Sequence, residues 1–158
     1  MRIVLIGCGG VGSWLAEFLT RGVLDEDDEL VLVDMENTEL KNLRYANFTK
    51  LDVPKVSDLM DRFSQLAHTL YTPRIISRVI AVQSPYNLDE LTGFDEDAIV
   101  ICATDDVWTK ELVHENCQKW IDVRAEDDMV QIFTWESRWA SKFTIHTSEN
   151  RRASCQSN

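Results

Sequence analysis

The sequence predicts an α/β chain, a doubly wound and mainly parallel sheet with an antiparallel edge at its C-terminal end. Three observations predict it. Short apolar runs alternate with amphipathic stretches from residue 3 to about residue 123, the order expected of strands alternating with helices. The runs Ile3-Val4-Leu5-Ile6, Leu30-Val31-Leu32-Val33 and Ala98-Ile99-Val100-Ile101-Cys102 are unbroken, as strands buried on both faces require. After residue 123 the pattern becomes two neighbouring strand-like stretches, Met129 to Trp135 and Lys142 to Thr147, without a helix between them.

The first strand, Ile3 to Ile6, runs directly into Gly7-Cys8-Gly9-Gly10-Val11-Gly12, a G-x-G-x-x-G turn. Val11, Trp14, Leu15, Phe18 and Leu19 then recur at helical spacing and predict an amphipathic helix with those residues inward. Strand, turn and helix in register make the Rossmann-like reading more specific than the bare motif. Gly7 would take a turn conformation closed to a Cβ, Gly9 would admit a phosphate close to the backbone, and Gly12 would let the helix pack on the strand. The unpaired N–H groups of the helix start then face an anion, with Gly10 and Ser13 beside it. Asp34 ends the second apolar run roughly 20 residues on, where an acid binds ribose hydroxyls.

Residues 35 to 48 are polar and without sustained period, and read as a loop with a short helical turn. Thr49 or Asp52 is expected to cap a long helix with Pro54 in its first turn and an apolar stripe of Val53, Val56, Leu59, Met60, Phe63, Leu66 and Leu70, ending by Thr72-Pro73. A third strand is expected from Arg74 to Val82, one helical turn at Leu88 to Leu91, and the fourth strand at Ala98 to Cys102. A helix from about Val107 to Lys119 and a fifth strand, Trp120 to Val123, follow. Residues 1–147 form one nucleotide-binding domain on this reading, and 148–158 a polar, frayed tail.

Composition narrows the function classes. The 158 residues carry a net charge of −11, which disfavours nucleic acid and anionic membrane as partners. No apolar run approaches the roughly 18 residues that span a bilayer, and the sequence opens on its first strand, so the expected location is the cytoplasm. The four cysteines, Cys8, Cys102, Cys117 and Cys155, form no C-x-x-C pair, which argues against a ribbon-type zinc site. The first three read as small core residues and Cys155 as an exposed thiol in the tail.

Four polar positions fall on the carboxyl side of such a sheet: the glycine turn, Asp34, the Asn42/Arg44 loop and Asp105, which follows the fourth strand. Lys55 at the start of the long helix suits phosphate oxygens. Asp105 suits a magnesium ion held through one carboxylate plus phosphate oxygens, and equally suits the N-cap of the next helix. Together these residues suit ATP with Mg²⁺ better than NAD, because no nicotinamide pocket with a partner acid or base is evident.

In this order the residues resemble the ubiquitin-activating, ThiF/MoeB-type superfamily from Ile3 to about Phe133. Gly7-Cys8-Gly9-Gly10-Val11-Gly12-Ser13 is similar to its G-x-G-G-x-G-S opening, and Val33-Asp34-Met35-Glu36 to its strand-ending acidic segment. Lys41-Asn42-Leu43 resembles its Ser-Asn-Leu, Asp52-Val53-Pro54-Lys55-Val56 its helix-opening lysine segment, Ala103-Thr104-Asp105-Asp106 its Thr-Asp-Asn, and Gln131-Ile132-Phe133 its late strand. Lys110 stands where an Arg is usual. Tyr45 stands at the family's phosphate-binding Arg, which leaves Arg44, one position earlier, as the alternative cation.

The resemblance implies ATP-dependent adenylation of the C-terminal carboxylate of a small ubiquitin-like or sulfur-carrier protein. It assigns the ribose to Asp34, the adenylate or phosphates to Asn42 and Lys55, and magnesium to Asp105, with Lys55, Asp105 and Arg44 as the catalytic set. It also implies a homodimer or half of a heteromer, for which Trp135 and Trp139 are candidate contacts. The alternative is a non-catalytic nucleotide-binding or regulatory module of the same fold, favoured by Tyr45, Ala46 and the short stretch after the last strands. An NAD-dependent oxidoreductase ranks third.

Overall fold

The computed structural model describes residues 1–66, 73–126 and 129–137. Six strands, β1 (Arg2–Ile6), β2 (Glu29–Val33), β3 (Arg74–Arg78), β4 (Ile99–Cys102), β5 (Lys119–Glu126) and β6 (Met129–Thr134), form one sheet in the order β3-β2-β1-β4-β5-β6. Every pairing is parallel except β5 with β6. The predicted doubly wound sheet with an antiparallel edge is therefore the fold. Its order reverses between β1 and β4, and the carboxyl ends of those two strands flank the crevice where such sheets hold ligands.

Strand alternation splits the core into two layers. Ile3, Leu5, Leu30, Leu32 and Ile101 face α1 (Gly10–Gly22) and α2 (Lys55–Leu66), where Val56, Leu59 and Phe63 are fully buried. Val4, Ile6, Val31, Val33 and Val100 face α3 (Pro85–Thr92) and α4 (Val107–Asn116), which contribute Leu88, Leu91, Leu112 and Val113. Each such side chain contributes about 1.5–3 kcal/mol on burial, so the two layers dominate stability.

The helix faces differ from the periodicity reading at one place. In α1, Trp14 and Phe18 are 54% and 63% exposed, and the inward face is Gly12, Ser13, Ala16, Leu19 and Thr20. Small residues win that face because α1 crosses close over the glycine turn, and an indole or phenyl ring would not fit there. The helix at Leu88 to Leu91 is longer than one turn: Ser84 accepts a hydrogen bond from Asn87 N, Pro85 follows the cap, and Gly93 ends it at φ 68°. β3 stops at Arg78 rather than Val82 because its partner β2 ends at Val33. The next rung, Asp34 N to Arg78 O, closes the ladder. β5 instead runs past Val123 to Glu126, paired there with β6.

α2 starts later than its expected caps. Asp52 takes a left-handed φ of 57° in the preceding turn, and Thr49 donates to Asp58 of the first helical turn through its backbone N at 2.7 Å and its hydroxyl at 2.9 Å. The acid on the helix holds the loop, the reverse of a loop side chain capping the helix. The predicted end of α2 at Leu70 and Thr72, the strand at Lys142 to Thr147, Trp139, the 148–158 tail and Cys155 lie outside the described residues.

Candidate functional site

The glycine turn is built by steric exclusion. Gly7 has φ +89°, and a Cβ there would lie 2.6 Å from Thr104 N, so only glycine lets the loop after β4 close on the loop after β1. A Cβ on Gly12 would lie 1.9 Å from Gly7 O, so glycine lets α1 start directly against the turn. Beside Gly9 the space is open: a Cβ would meet nothing within 4 Å. Gly9 is the N-cap of α1 and supplies no side-chain hydrogen bond, which leaves the first-turn N–H groups facing that opening. Tyr45 covers the next position, its ring edge 3.2 Å from where a Gly10 Cβ would stand.

Asp34 ties the turn to the second loop. Its carboxylate accepts from Cys8 N and from Glu36 N, each at 2.8 Å. Burial pushes its carboxyl above the ordinary range, against the pull of these two bonds and of Lys55. An ionised carboxylate has further lone pairs, so both bonds leave it able to accept from a hydroxyl.

Lys55 opens α2 and is only 3% exposed. Its Nζ lies 2.5 Å from Glu36 Oε2, and its backbone N donates to Glu36 O. Burial alone would lower its pKa, but Glu36 and then Asp34 outweigh it and raise the ammonium above its ordinary value, so Lys55 is charged. Asn42 is buried; its Oδ1 accepts from Glu39 N and its Nδ2 donates to the Tyr45 hydroxyl at 2.9 Å. Ser13 is fully buried, donating to Gly10 O and accepting from Asn47 N. Both polar side chains are committed to holding the 39–47 loop against the start of α1. Trp14 joins them, donating from Nε1 to Tyr45 O at 2.8 Å. Arg44 is exposed at the end of a short 3-10 turn, Asn42–Arg44.

After β4, Asp106 is the N-cap of α4, accepting from Thr109 N at 2.9 Å and from its hydroxyl at 2.6 Å. The cap is thus one residue beyond the position that the sequence suggested. Asp105 is exposed and makes no hydrogen bond or ion pair with the described residues. Its neighbour Thr104 is the residue packed on Gly7, so the fold places Asp105 beside the mouth of the glycine turn.

Two features escaped the sequence reading. Glu36 pairs with Lys55, and its only signal was a second acid two residues after Asp34. The other is a buried charge cluster: Asp122 is fully buried, with Lys110 Nζ 3.1 Å from Oδ1, Arg124 Nη2 2.6 Å from Oδ2, and His114 Nε2 3.4 Å from Oδ2. The His114 contact is long for a hydrogen bond, and the ring stacks on Trp120 at 3.8 Å. Burial alone would raise the Asp122 carboxyl, but His114, Arg124 and Lys110 hold it far below the ordinary carboxylate range. Among the described residues no group of three or more His, Cys, Asp or Glu side chains would hold a metal ion by itself. No helix there is long and apolar enough to cross a membrane.

With this geometry in view, the family model that matches the chain is ThiF, over residues 1–148. The chain belongs to the ThiF family. A search of curated proteins found no match. Solved structures with the same fold include an E. coli tRNA N6-threonylcarbamoyladenosine dehydratase, TcdA, in complex with AMP. It has a TM-score of 0.63 and 21% identity, covering 81% of this chain and 52% of that one. A TcdA structure in complex with ATP gives a TM-score of 0.59 and 24% identity, covering 72% and 45%. E. coli MccB with AMPCPP and MccA gives 0.66 and 16%, covering 84% and 39%. At these identities the likeness is one of fold, and this ThiF-family chain spans about half the length of those proteins or less.

Proposed function

We propose that this ThiF-family chain binds ATP at the carboxyl edge of its sheet and adenylates the C-terminal carboxylate of a small ubiquitin-like or sulfur-carrier protein. One observation carries the reading: the uncapped start of α1, open at Gly9, sits between Asp34 and Asp105, with charged Lys55 behind Asp34. Such a site offers backbone donors to phosphate, a carboxylate to ribose hydroxyls and a free carboxylate at the phosphate end. The complexes of TcdA and MccB with adenine nucleotides support it.

In this mechanism an acyl carboxylate oxygen attacks the α-phosphorus, the bond to the bridging oxygen breaks, and pyrophosphate leaves with the electron pair. No residue here needs to supply a nucleophile. The chain's part is positioning and charge neutralisation. Asp34 orients the ribose, the α1 amides and Lys55 hold phosphate oxygens, and exposed Arg44 is the second cation within the loop. Magnesium fits Asp105, because that carboxylate is exposed and uncommitted and hard cations take one or two carboxylates plus phosphate oxygens. When bound, it would neutralise the departing pyrophosphate.

The assay is exchange of pyrophosphate into ATP. Exchange should require a carboxylate-bearing partner protein, Asp105→Asn should abolish it while sparing AMP affinity, and Lys55→Ala should weaken ATP more than AMP. Equal, magnesium-independent affinity for ATP and AMP, with no exchange for any candidate carrier, would overturn the reading. The second reading, a nucleotide-binding module without catalysis, is favoured by Tyr45, which sets a neutral ring over Gly10 where the family has an Arg. Self-association is part of the proposal, with Trp135 at the end of β6, 40% exposed, as the candidate contact; sedimentation tests it.

A further inference from the structure

The cation inside the proposed phosphate site is already occupied by a carboxylate. Lys55 is almost wholly buried, and its ammonium makes one side-chain ion pair among the described residues, with Glu36 at 2.5 Å. An ammonium has three donors, so the others are unspent. Glu36 is unlike its partner. Its side chain is 64% exposed, whereas its backbone is pinned on both sides, N–H to Asp34 Oδ1 at 2.8 Å and C=O from Lys55 N at 3.0 Å. The carboxylate can therefore swing into solvent by rotating side-chain bonds alone, leaving Asp34, Lys55 and the turn in place.

The charge balance makes that swing matter. Around the opening stand Asp34, Glu36 and Asp105 against buried Lys55 and exposed Arg44, so a polyphosphate meets a site whose carboxylates outnumber its cations. We propose that Glu36 determines the ligand specificity of this site by acting as a built-in competing anion. It holds Lys55 while the site is empty and yields only to a phosphate oxyanion strong enough to displace it. This rests on the nucleotide reading above and deepens it. A ligand without phosphate gains nothing from displacing Glu36, and a polyphosphate arriving with a divalent cation brings the counter-charge that the expelled carboxylate and Asp105 require.

The test compares wild type with Glu36→Gln and Glu36→Ala by calorimetry, using ATP, AMP, adenosine and inorganic pyrophosphate, each with and without magnesium. Position 36 is largely in solvent, so neither replacement disturbs packing, and thermal melts of the empty proteins measure what leaving Lys55 unpaired costs the fold. The competition predicts that both variants bind ATP and pyrophosphate about three- to tenfold more tightly than wild type, as expected for releasing one partly exposed ion pair. It also predicts that the gain is largest without magnesium and that adenosine affinity is unchanged. A purely structural pair predicts unchanged or weaker ATP binding in both variants, whatever the shift in melting temperature. If wild type binds ATP and the variants bind it within twofold or more weakly, the competition is overturned and the nucleotide site stands. If neither wild type nor variants bind ATP, AMP or pyrophosphate, both fall.

Discussion

Replacing Asp122 by Asn tests the largest electrostatic commitment in the fold. The substitution keeps the side chain's shape and removes its charge, leaving Lys110 and Arg124 with 7% and 20% of their side chains exposed and no counter-ion among the described residues. Removing one partner of a buried ion pair costs about 3–5 kcal/mol. The partial exposure of Arg124, and its stacking over Phe133 at 4.7 Å, place the expectation at the lower end, about 3 kcal/mol. Urea unfolding followed by tryptophan fluorescence measures it directly, since Trp120 stacks on His114 inside the cluster. Adding Lys110→Met should return part of the loss by removing an uncompensated buried charge. The same cluster sets an acid limit. The folded Asp122 carboxyl lies below its unfolded value of about 3.9, so its stabilisation is complete above roughly pH 5 and is lost as pH falls through that range. An Asp122→Asn protein within about 0.5 kcal/mol of wild type at pH 7, the range of ordinary surface changes, would refute the reasoning.

The other predictions concern single positions. Gly12→Ala should destabilise the fold and abolish ATP binding, because its Cβ would meet Gly7 O at 1.9 Å. Gly22→Ala, with open space at the end of α1, should be neutral or stabilising by up to about 1 kcal/mol; melts of the two variants make the comparison. Asp34→Ala should weaken ATP roughly ten- to a hundredfold by calorimetry, the loss of one charge-assisted hydrogen bond. In alkylation at about pH 8, Cys8 and Cys102 should stay unmodified in the native state. Burial pushes the Cys102 thiol to about 12 and Cys8 higher still, and half-buried Cys117, at about 11, should react slowly. Phe18→Lys should leave the urea midpoint nearly unchanged, because that ring faces solvent.

What the sequence could show was governed by local pattern. Unbroken apolar runs gave the strands, and the glycine spacing gave the turn, because both are consecutive along the chain. The stripe on α1 misled at Trp14 and Phe18 because periodicity reports which residues share a face, not which face turns inward; the close crossing at Gly7 and Gly12 decided that. The expected cap of α4, Asp105, was one residue early, because the backbone turn puts Asp106 where its carboxylate meets Thr109 N. The pairs Glu36–Lys55 and Lys110–Asp122 were invisible for another reason. Each joins separate elements, and no single-chain spacing encodes which two loops or strands meet.

The unequal lengths of β4 and β5 divide the sheet into two tiers of attachment. β5 pairs with β4 through Lys119 to Asp122 and with β6 through Ile121 to Glu126, and Trp135 N just after β6 donates to Trp120 O, so the stretch held on both sides runs from Trp120 to Asp122. The β5–β6 ribbon is therefore spliced to the platform through the short overlap Trp120 to Asp122, and the buried Asp122 cluster sits at that splice. The ribbon can peel away while β1, β4 and the glycine turn keep their ladder. Amide hydrogen exchange should then be graded along one strand, with the β4-bonded half of β5 slow and the half bonded only to β6 exchanging through partial opening. Neutralising Asp122 would lower the opening cost of the ribbon before it touched that of the platform.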